Sequence, residues 1–342
     1  MFTAQKLRLK TEPVRRTASS SKLSADLKRK EWHNVLLLFF KIVFGLTMQS
    51  TLRWIIAATI FIAVIIGVEQ WLGWESILLD WQQVSFGSIL ILTLLTLLSY
   101  LLRAERVYRY FGQQQMHHRS SYIRISFIHN ALNNFLPMRL GEAAFPLLMK
   151  REFKESMLTT SAGLIWIRLM DLHLLLLLGA IAFIGFFPIL GAVSLAGLIL
   201  VPSIFLLGLI DLKSLLPQKV ATKFDHYRHL LPESRALLIN TYLLTAQIWL
   251  IKLAALVVLL MAFLDIDYYG ATLAVIAGDL SSVLPIHGLA GSGTYEAALV
   301  GALYPLGISL EEATKAAINV HIYLLGVSAL SIPLALLVPK KR

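Results

Sequence analysis

The sequence predicts an all-α polytopic membrane protein with about six full transmembrane helices and two broken helical hairpins. Of its 342 residues, 57% are apolar and only 15% are charged, and the mean hydropathy is +0.71. Soluble globular chains are about 45 to 50% apolar and about 25% charged, so the surplus apolar side chains must face lipid. Several apolar runs reach the roughly 20 residues that a helix needs to cross hydrocarbon. Continuous runs such as residues 172–190 do not alternate as barrel strands would.

The first 33 residues are predicted to form a basic, disordered cytoplasmic tail. Nine of the 31 Lys and Arg residues precede residue 34, in a polar, Ser-rich stretch. We expect this tail to touch anionic lipid headgroups, and neither nucleic acid binding nor a cleaved signal peptide is predicted. Residues 34–342 are expected to form a single membrane domain, and the Lys41-interrupted stretch 35–46 is interpreted as interfacial.

Apolar runs and their interruptions give the order of the membrane segments. The predicted full spans cover about residues 54–71, 84–102, 158–187, 192–209, 237–264 and 313–338. Two further apolar segments, 125–149 and 271–303, carry Pro and Gly in mid-run, as broken or re-entrant helices do. Between Pro217 and Pro232, an amphipathic pattern predicts an interfacial helix.

Charge in the connections predicts the sidedness. Residues 103–124 and 212–236 are rich in Lys and Arg, whereas 72–83 and 265–270 carry only acidic charges. Because basic residues collect on the cytoplasmic side, both termini are expected to lie there, in the cytoplasmic membrane. The first hairpin then enters from the cytoplasm, and the second enters from outside.

This layout predicts an inverted repeat, with halves at about 54–187 and 191–338. In transporters, interrupted segments at corresponding places of two halves are the best sequence indication of the substrate site.

The first hairpin combines amides, a helix breaker, a guanidinium and a carboxylate within ten residues. Its candidate residues are Asn133, Asn134, Pro137, Arg139, Gly141 and Glu142. Arg139 and Glu142, at i, i+3, could pair and neutralise each other. Alternatively, Arg139 could hold a lipid phosphate with its fork of N–H donors. Pro137 and Gly141 are predicted to break the helix.

The span that begins near Leu158 carries Arg168 and Asp171 on one face. Such charges cost about 2.5 to 3.5 kcal/mol each to insert, so they should face a polar interior. They could pair with each other, brace the first hairpin, or bind the substrate. His173 is expected to be a packing histidine; His321 receives the same interpretation but is kept as a coupling candidate.

The second hairpin is rich in glycine but does not match a nucleotide-binding loop. No Lys-Ser/Thr follows its glycines, and the run from Gly291 to Glu296 ends in Glu where a dinucleotide loop needs Gly or Ala. We therefore interpret its breakers as permitting a tight reversal and close helix approach. These breakers are Pro285, Gly288, Gly291 and Gly293. Asp279 and Glu296 are candidates for proton coupling or for balancing the arginines, and Glu296 also for substrate contact. His287 is a further candidate for coupling.

Together, the 133–142 motif, the Arg168 and Asp171 pair and the 284–296 segment resemble the lysylphosphatidylglycerol synthase transmembrane family. The resemblance covers about residues 36–339. It implies a flippase that moves an anionic phospholipid or a polyprenyl-linked lipid across the cytoplasmic membrane. We expect a stand-alone member without the family's soluble aminoacyl-transfer domain.

Two classes of function are weighed. The preferred one is a lipid flippase; the alternative is a membrane scaffold or enzyme subunit in glycolipid or lipid-linked glycan assembly. No nucleophile elbow, zinc motif or acidic metal pair is apparent, and His226 and His229 lack a third metal ligand. No catalytic residue, metal or cofactor is therefore predicted. The expected partners are membrane lipids, with a second copy of the chain or a lipid-synthesis protein left open.

Overall fold

The computed structural model describes residues 59, 62–63, 65–112, 118–136, 140–206, 234–281 and 289–339, with only the backbone described for 201–206. Every regular element in this part of the chain is helical, and no strand occurs in it. The helices are α1 (Trp74–Leu79), α2 (Phe86–Phe111), α3 (Arg119–Phe135), α4 (Leu140–Phe153), α5 (Met157–Ile184), α6 (Pro188–Leu206), α7 (Arg235–Phe263), α8 (Tyr268–Ser281), α9 (Thr294–Leu303) and α10 (Leu310–Leu337).

Four helices of the described residues are long and apolar enough to cross a membrane: α2, α5, α7 and α10. Each coincides with a predicted span, so the all-α polytopic class is confirmed. The span predicted at 192–209 coincides with α6, whose apolar part, Pro188–Leu200, is shorter. The span predicted at 54–71 falls partly outside the described residues. The basic tail, the 35–46 stretch and the helix predicted between Pro217 and Pro232 lie wholly outside them.

The end of α2 corrects one prediction. We predicted that this span ends near Leu102, but α2 continues to Phe111. Arg103 and Arg106 therefore belong to the helix, and their assignment to a loop was wrong. The helix can continue because its buried charge is matched: the Arg106 guanidinium is 2.6 Å from a carboxylate oxygen of Asp171 on α5.

The first broken segment is an antiparallel helical hairpin of α3 and α4. Near its open end, the Ser121 hydroxyl donates to Glu152 at 3.3 Å. Near its closed end, a Cβ placed on Gly141 would lie 2.3 Å from the Asn133 Cα, so only glycine permits this approach. Leu136, which ends α3, is extended (φ −83°, ψ 137°), the conformation that a following proline favours. The predicted break is confirmed; the re-entrant geometry remains a prediction.

The second broken segment is a hairpin of α8 and α9. A Cβ on Gly278 would lie 2.9 Å from the Tyr295 ring, and one on Gly270 would lie 3.0 Å from Leu306, so the two arms run in opposite directions. Gly291 and Gly293 have φ of 78° and 84°, values that L side chains rarely adopt. These backbone conformations agree with the interpretation of both residues as helix breakers, which stays a prediction.

The two halves of the described chain pack in the same order. In each half, a long helix, a hairpin and a second long helix follow one another. The most extensive contact between the two halves is the one between α2 and α7. The packing between the halves is reciprocal: α3 of the first hairpin packs on α10, and α8 of the second packs on α5. This reciprocity favours a repeat, and its inverted orientation remains a prediction. The arrangement brings both hairpins to the middle of the bundle.

Candidate functional site

A polar cavity of about 390 Å³ lies where the two hairpins meet α2, α5 and α7. It is bordered by helices that are long and apolar enough to cross a membrane, and charged side chains among such helices are rare and usually functional. The polar and aromatic lining comprises Tyr100, Arg103, Asn130, Asn133, Asn134, Glu142, Arg168, Asp171, Trp249, Lys252, Asp279, Tyr295 and His321.

Asp171 is the centre of the hydrogen bonding in one wall. Its carboxylate accepts two hydrogen bonds from Arg106, at 2.6 and 3.3 Å, and one from Arg168 at 3.1 Å. The Trp249 indole N–H donates a fourth at 2.8 Å. The same Arg106 nitrogen also donates to Thr245 at 2.7 Å. This wall therefore ties α2, α5 and α7 together through one buried carboxylate.

Arg168 also joins this wall to the first hairpin. Its other terminal nitrogen lies 2.6 Å from a Glu142 oxygen on α4, and His129 approaches the second oxygen of Glu142 at 3.8 Å. Both structural alternatives for Arg168 are thus observed, since it pairs with Asp171 and braces the hairpin. One arginine partner of Glu142 thus comes from α5. Arg139, the partner considered from sequence, lies outside the described residues, and its pairing with Glu142 stays a prediction.

Arg103 differs from the other basic side chains of the cavity. Its guanidinium carbon lies 5.4 Å from the Trp249 ring centre and 5.8 Å from that of Tyr100, and it donates a long hydrogen bond of 3.4 Å to Asn130. The Arg103 Nε has no hydrogen-bond partner. Among the described residues, the Arg103 guanidinium forms no ion pair with a carboxylate. Arg103 is held by aromatic rings, so its N–H donors are largely uncommitted.

The lining also contains a lysine–aspartate pair. Lys252, in the middle of α7, lies 2.6 Å from an Asp279 oxygen on α8 and 5.0 Å from the Trp249 ring centre. Asp279 was expected to carry a proton or to balance the arginines. In the structure it pairs with Lys252, and its part in proton coupling stays a prediction.

Glu296 and His321 form a second contact at the edge of the cavity. Their side chains lie 2.6 Å apart, and the other Glu296 oxygen accepts the Gly293 backbone N–H at 2.8 Å, which caps α9. The Tyr295 ring packs 4.8 Å from the His321 ring. By contrast, His173 is fully engaged, with Tyr242 at 2.7 Å and the Leu198 carbonyl at 2.9 Å, so its interpretation as a packing histidine is confirmed.

Comparison with known protein families assigns the chain to one of them. The family described as "Lysylphosphatidylglycerol synthase TM region" matches residues 28–331, most of the sequence. The protein belongs to this family. Membership associates its function with membrane lipids. No curated protein and no solved structure matches the chain.

Most of the predicted site residues of this family member meet at one place. Those that line the polar cavity are Asn133, Asn134, Glu142, Arg168, Asp171, Asp279, Gly291 and His321. Glu296, Gly141 and Gly293 lie next to it through the contacts given above. Five predictions fall outside the described residues: Pro137, Arg139, Pro285, His287 and Gly288. In the part of the chain that the structure describes, no group of three His, Asp or Glu residues could hold a metal ion.

Sequence reasoning missed three basic residues of the cavity region. Arg103 and Arg106 were assigned to a loop because they follow the apolar run of α2, although their i, i+3 spacing places them on one helix face. Lys252 is the one charged residue within the predicted span 237–264 and was overlooked. A lone cation in an apolar run is itself a signal of function. Trp249, one turn before it, shares its face.

Proposed function

We propose that this protein is a lipid flippase that accepts the headgroup of an anionic phospholipid in the polar cavity and moves it across the membrane without changing it chemically. The observation that carries the proposal is that Arg103 pairs with no carboxylate among the described residues. Each carboxylate of the cavity has a basic partner: Arg106 and Arg168 hold Asp171, Arg168 also holds Glu142, and Lys252 holds Asp279. Arg103 is left to bind an external anion.

Unused donors around Arg103 support a phosphate as that anion. Arg103 Nε, Arg168 Nε and Asn130 Nδ2 are buried without a hydrogen-bond partner, and all three residues line the cavity. Buried polar atoms of native proteins are nearly always hydrogen-bonded, so a cluster of exceptions indicates a place for a ligand. Guanidinium forks and amide N–H groups match phosphate oxygens in geometry and charge.

The surrounding architecture supports transport. The cavity is lined by both hairpins, whose broken helices supply irregular backbone where it borders a polar space. Interrupted helices from two related halves also form the substrate sites of many transporters. A headgroup could therefore pass between the halves while its acyl chains stay in lipid.

The test compares Arg103→Gln with Arg109→Gln in proteoliposomes of phosphatidylcholine. Arg109 lies on the same helix but is 41% exposed and pairs with Glu105. The vesicles contain a fluorescent phosphatidylglycerol or phosphatidylcholine, and dithionite bleaches the outer leaflet only. A hydrogen bond to a charged group contributes about 1.5 to 3 kcal/mol, so Arg103→Gln should slow phosphatidylglycerol translocation about ten- to hundred-fold. Arg109→Gln should match the wild type.

Three outcomes would contradict the proposal. The wild-type protein could fail to move phosphatidylglycerol faster than empty vesicles do. Arg103→Gln could translocate as fast as Arg109→Gln, which would remove the anion-binding role. A change in the mass of the lipid would favour an enzyme over a flippase.

A further inference from the structure

A second cavity of about 910 Å³ lies between α5, α6 and the second hairpin. Its lining is apolar except for Ser194 and includes Leu176, Phe183, Leu198, Leu273 and Pro305. We call this cavity the apolar groove. Its walls offer no partner for a headgroup, so only a hydrocarbon group suits them.

The apolar groove continues from the polar cavity along shared helices. Leu175 lines both spaces. On α5, the polar cavity is bordered by Arg168 and Asp171, and the groove follows at Leu175, Gly179 and Phe183, four residues apart on one face. The lining thus changes from charged to apolar in the way that a headgroup changes to a chain along a lipid.

The length of the apolar groove matches one leaflet. Eight residues separate Leu175 from Phe183, a distance of about 12 Å at the rise of an α-helix, and Phe186 and Phe187 extend the lining. The hydrocarbon core is about 30 Å thick, so an acyl chain of one leaflet covers about 15 Å. A phospholipid chain fits this length, whereas a long polyprenyl chain does not.

We infer that the apolar groove holds an acyl chain of the same phospholipid whose headgroup occupies the polar cavity. This inference rests on the proposed function and narrows its substrate to a lipid with leaflet-length chains. The two spaces then form one amphiphile site: Arg103 holds the phosphate, and α5, α6 and the second hairpin hold a chain. Headgroup and chain binding are coupled, because both belong to one molecule.

Gly197 offers a way to close the groove. It lines the groove, and a Cβ there would meet no atom within 4 Å. Its neighbour Leu198 contacts His173 through its carbonyl, so Gly197 lies at the end nearest the polar cavity. Gly197→Phe should therefore fill the entrance. Gly301, on α9, is the matched control, since it also faces open space but lines neither cavity.

The experiment uses phosphatidylglycerol and phosphatidylcholine that carry a photoreactive diazirine in one acyl chain. Each is reconstituted with the wild-type, Gly197→Phe, Gly301→Phe or Arg103→Gln protein, and labelled peptides are identified by mass spectrometry. Phosphatidylglycerol should label groove residues such as Phe183 and Leu273 in the wild type and in Gly301→Phe. Gly197→Phe should lower that labelling about ten-fold, because a filled site excludes the chain. Arg103→Gln should also lower the labelling of the groove, because the headgroup loses its phosphate partner in the polar cavity.

Several results would overturn the inference. Labelling of the groove could be equal in Gly197→Phe and Gly301→Phe. Labelling by phosphatidylglycerol could be unchanged in Arg103→Gln, which would show that chains bind without regard to the headgroup. Labelling could also spread evenly over exposed apolar residues of α2, such as Ile91 and Leu94, as it does for bulk lipid. Groove labelling as expected without translocation would instead refute the flippase and leave the chain site standing.

Discussion

Replacing Asp171 by Asn should strongly destabilise the protein. The Asp171 carboxylate is buried, with 5% of the residue exposed, and it accepts hydrogen bonds from Arg106, Arg168 and Trp249. Asparagine has nearly the same shape but carries no charge. The substitution therefore removes the counter-ion of two arginines and places an NH₂ group where an oxygen accepted hydrogen bonds.

The size of the effect follows from what remains for each arginine. Arg168 keeps Glu142 at 2.6 Å, whereas Arg106 is 3% exposed and keeps only the Thr245 hydroxyl. Breaking a buried ion pair by removing one partner costs about 3 to 5 kcal/mol, because a charge stays buried without compensation. We expect about 3 kcal/mol, since one of the two arginines retains a carboxylate.

The exposed pair of Arg109 and Glu105 provides the control. Its atoms are 2.9 Å apart, but Arg109 is 41% exposed, and pairs of this kind contribute about 0.2 to 1 kcal/mol. Free energies of unfolding are measured in mixed micelles with a rising fraction of sodium dodecyl sulfate. Asp171→Asn should lose several times more stability than Glu105→Gln. Adding Arg106→Met should restore part of the loss, because the stranded charge is then gone.

Two results would refute this reasoning. Asp171→Asn could cost no more than Glu105→Gln, which would mean that the buried network contributes little to stability. The double variant could also be less stable than Asp171→Asn alone, which would mean that the Arg106 guanidinium stabilises the fold without its carboxylate.

Two further predictions concern the hairpin contact and the sidedness. Gly141→Ala should lower the free energy of unfolding by about 1 to 3 kcal/mol, because its methyl group would lie 2.3 Å from the Asn133 Cα. Gly301→Ala is the control and should be tolerated, since its methyl group meets open space. Equal melting temperatures of the two variants would contradict this prediction. The chain has no cysteine, so single cysteines can report the side of the membrane on which they lie. An impermeant thiol reagent applied to intact cells should label Asp267→Cys, predicted outside, and not Ser20→Cys, predicted cytoplasmic. Labelling of Ser20→Cys would contradict the predicted sidedness.

The sequence was informative where a charge interrupts an apolar run. Arg168 and Asp171 stood out because insertion of a charge into lipid is costly, and both border the polar cavity. Their partners were less predictable. Sequence spacing suggested Arg139, which lies outside the described residues, as a partner of Glu142; the fold adds Arg168, from another helix. Spacing identifies neighbours on one helix, whereas contacts between helices depend on packing that no local pattern encodes.

The error in α2 has a specific physical cause. Ending the helix at the first arginine assumes that a charge cannot be buried between apolar helices, and Arg106 contradicts this assumption because Asp171 neutralises it. Arg103 breaks it differently, since it packs against aromatic rings. A rule that counts charges along the chain cannot detect partners on α5 or α7. The breaks in the two apolar segments, by contrast, depend on local breakers, and helices end and restart in both segments.

Trp249 explains how a basic residue can be held in place and still be available to a ligand. Its ring lies 5.4 Å from Arg103 and 5.0 Å from Lys252, while its N–H donates to Asp171. An aromatic ring attracts a cation through its face and does not use the N–H donors at the guanidinium edge. Both terminal nitrogens of Arg106 donate hydrogen bonds to the Asp171 carboxylate. Arg103 packs against aromatic rings, which leaves most of its N–H donors without a partner. The same helix therefore carries one arginine that is held by a carboxylate and one that is held by aromatic rings, and the proposed anion site uses the second.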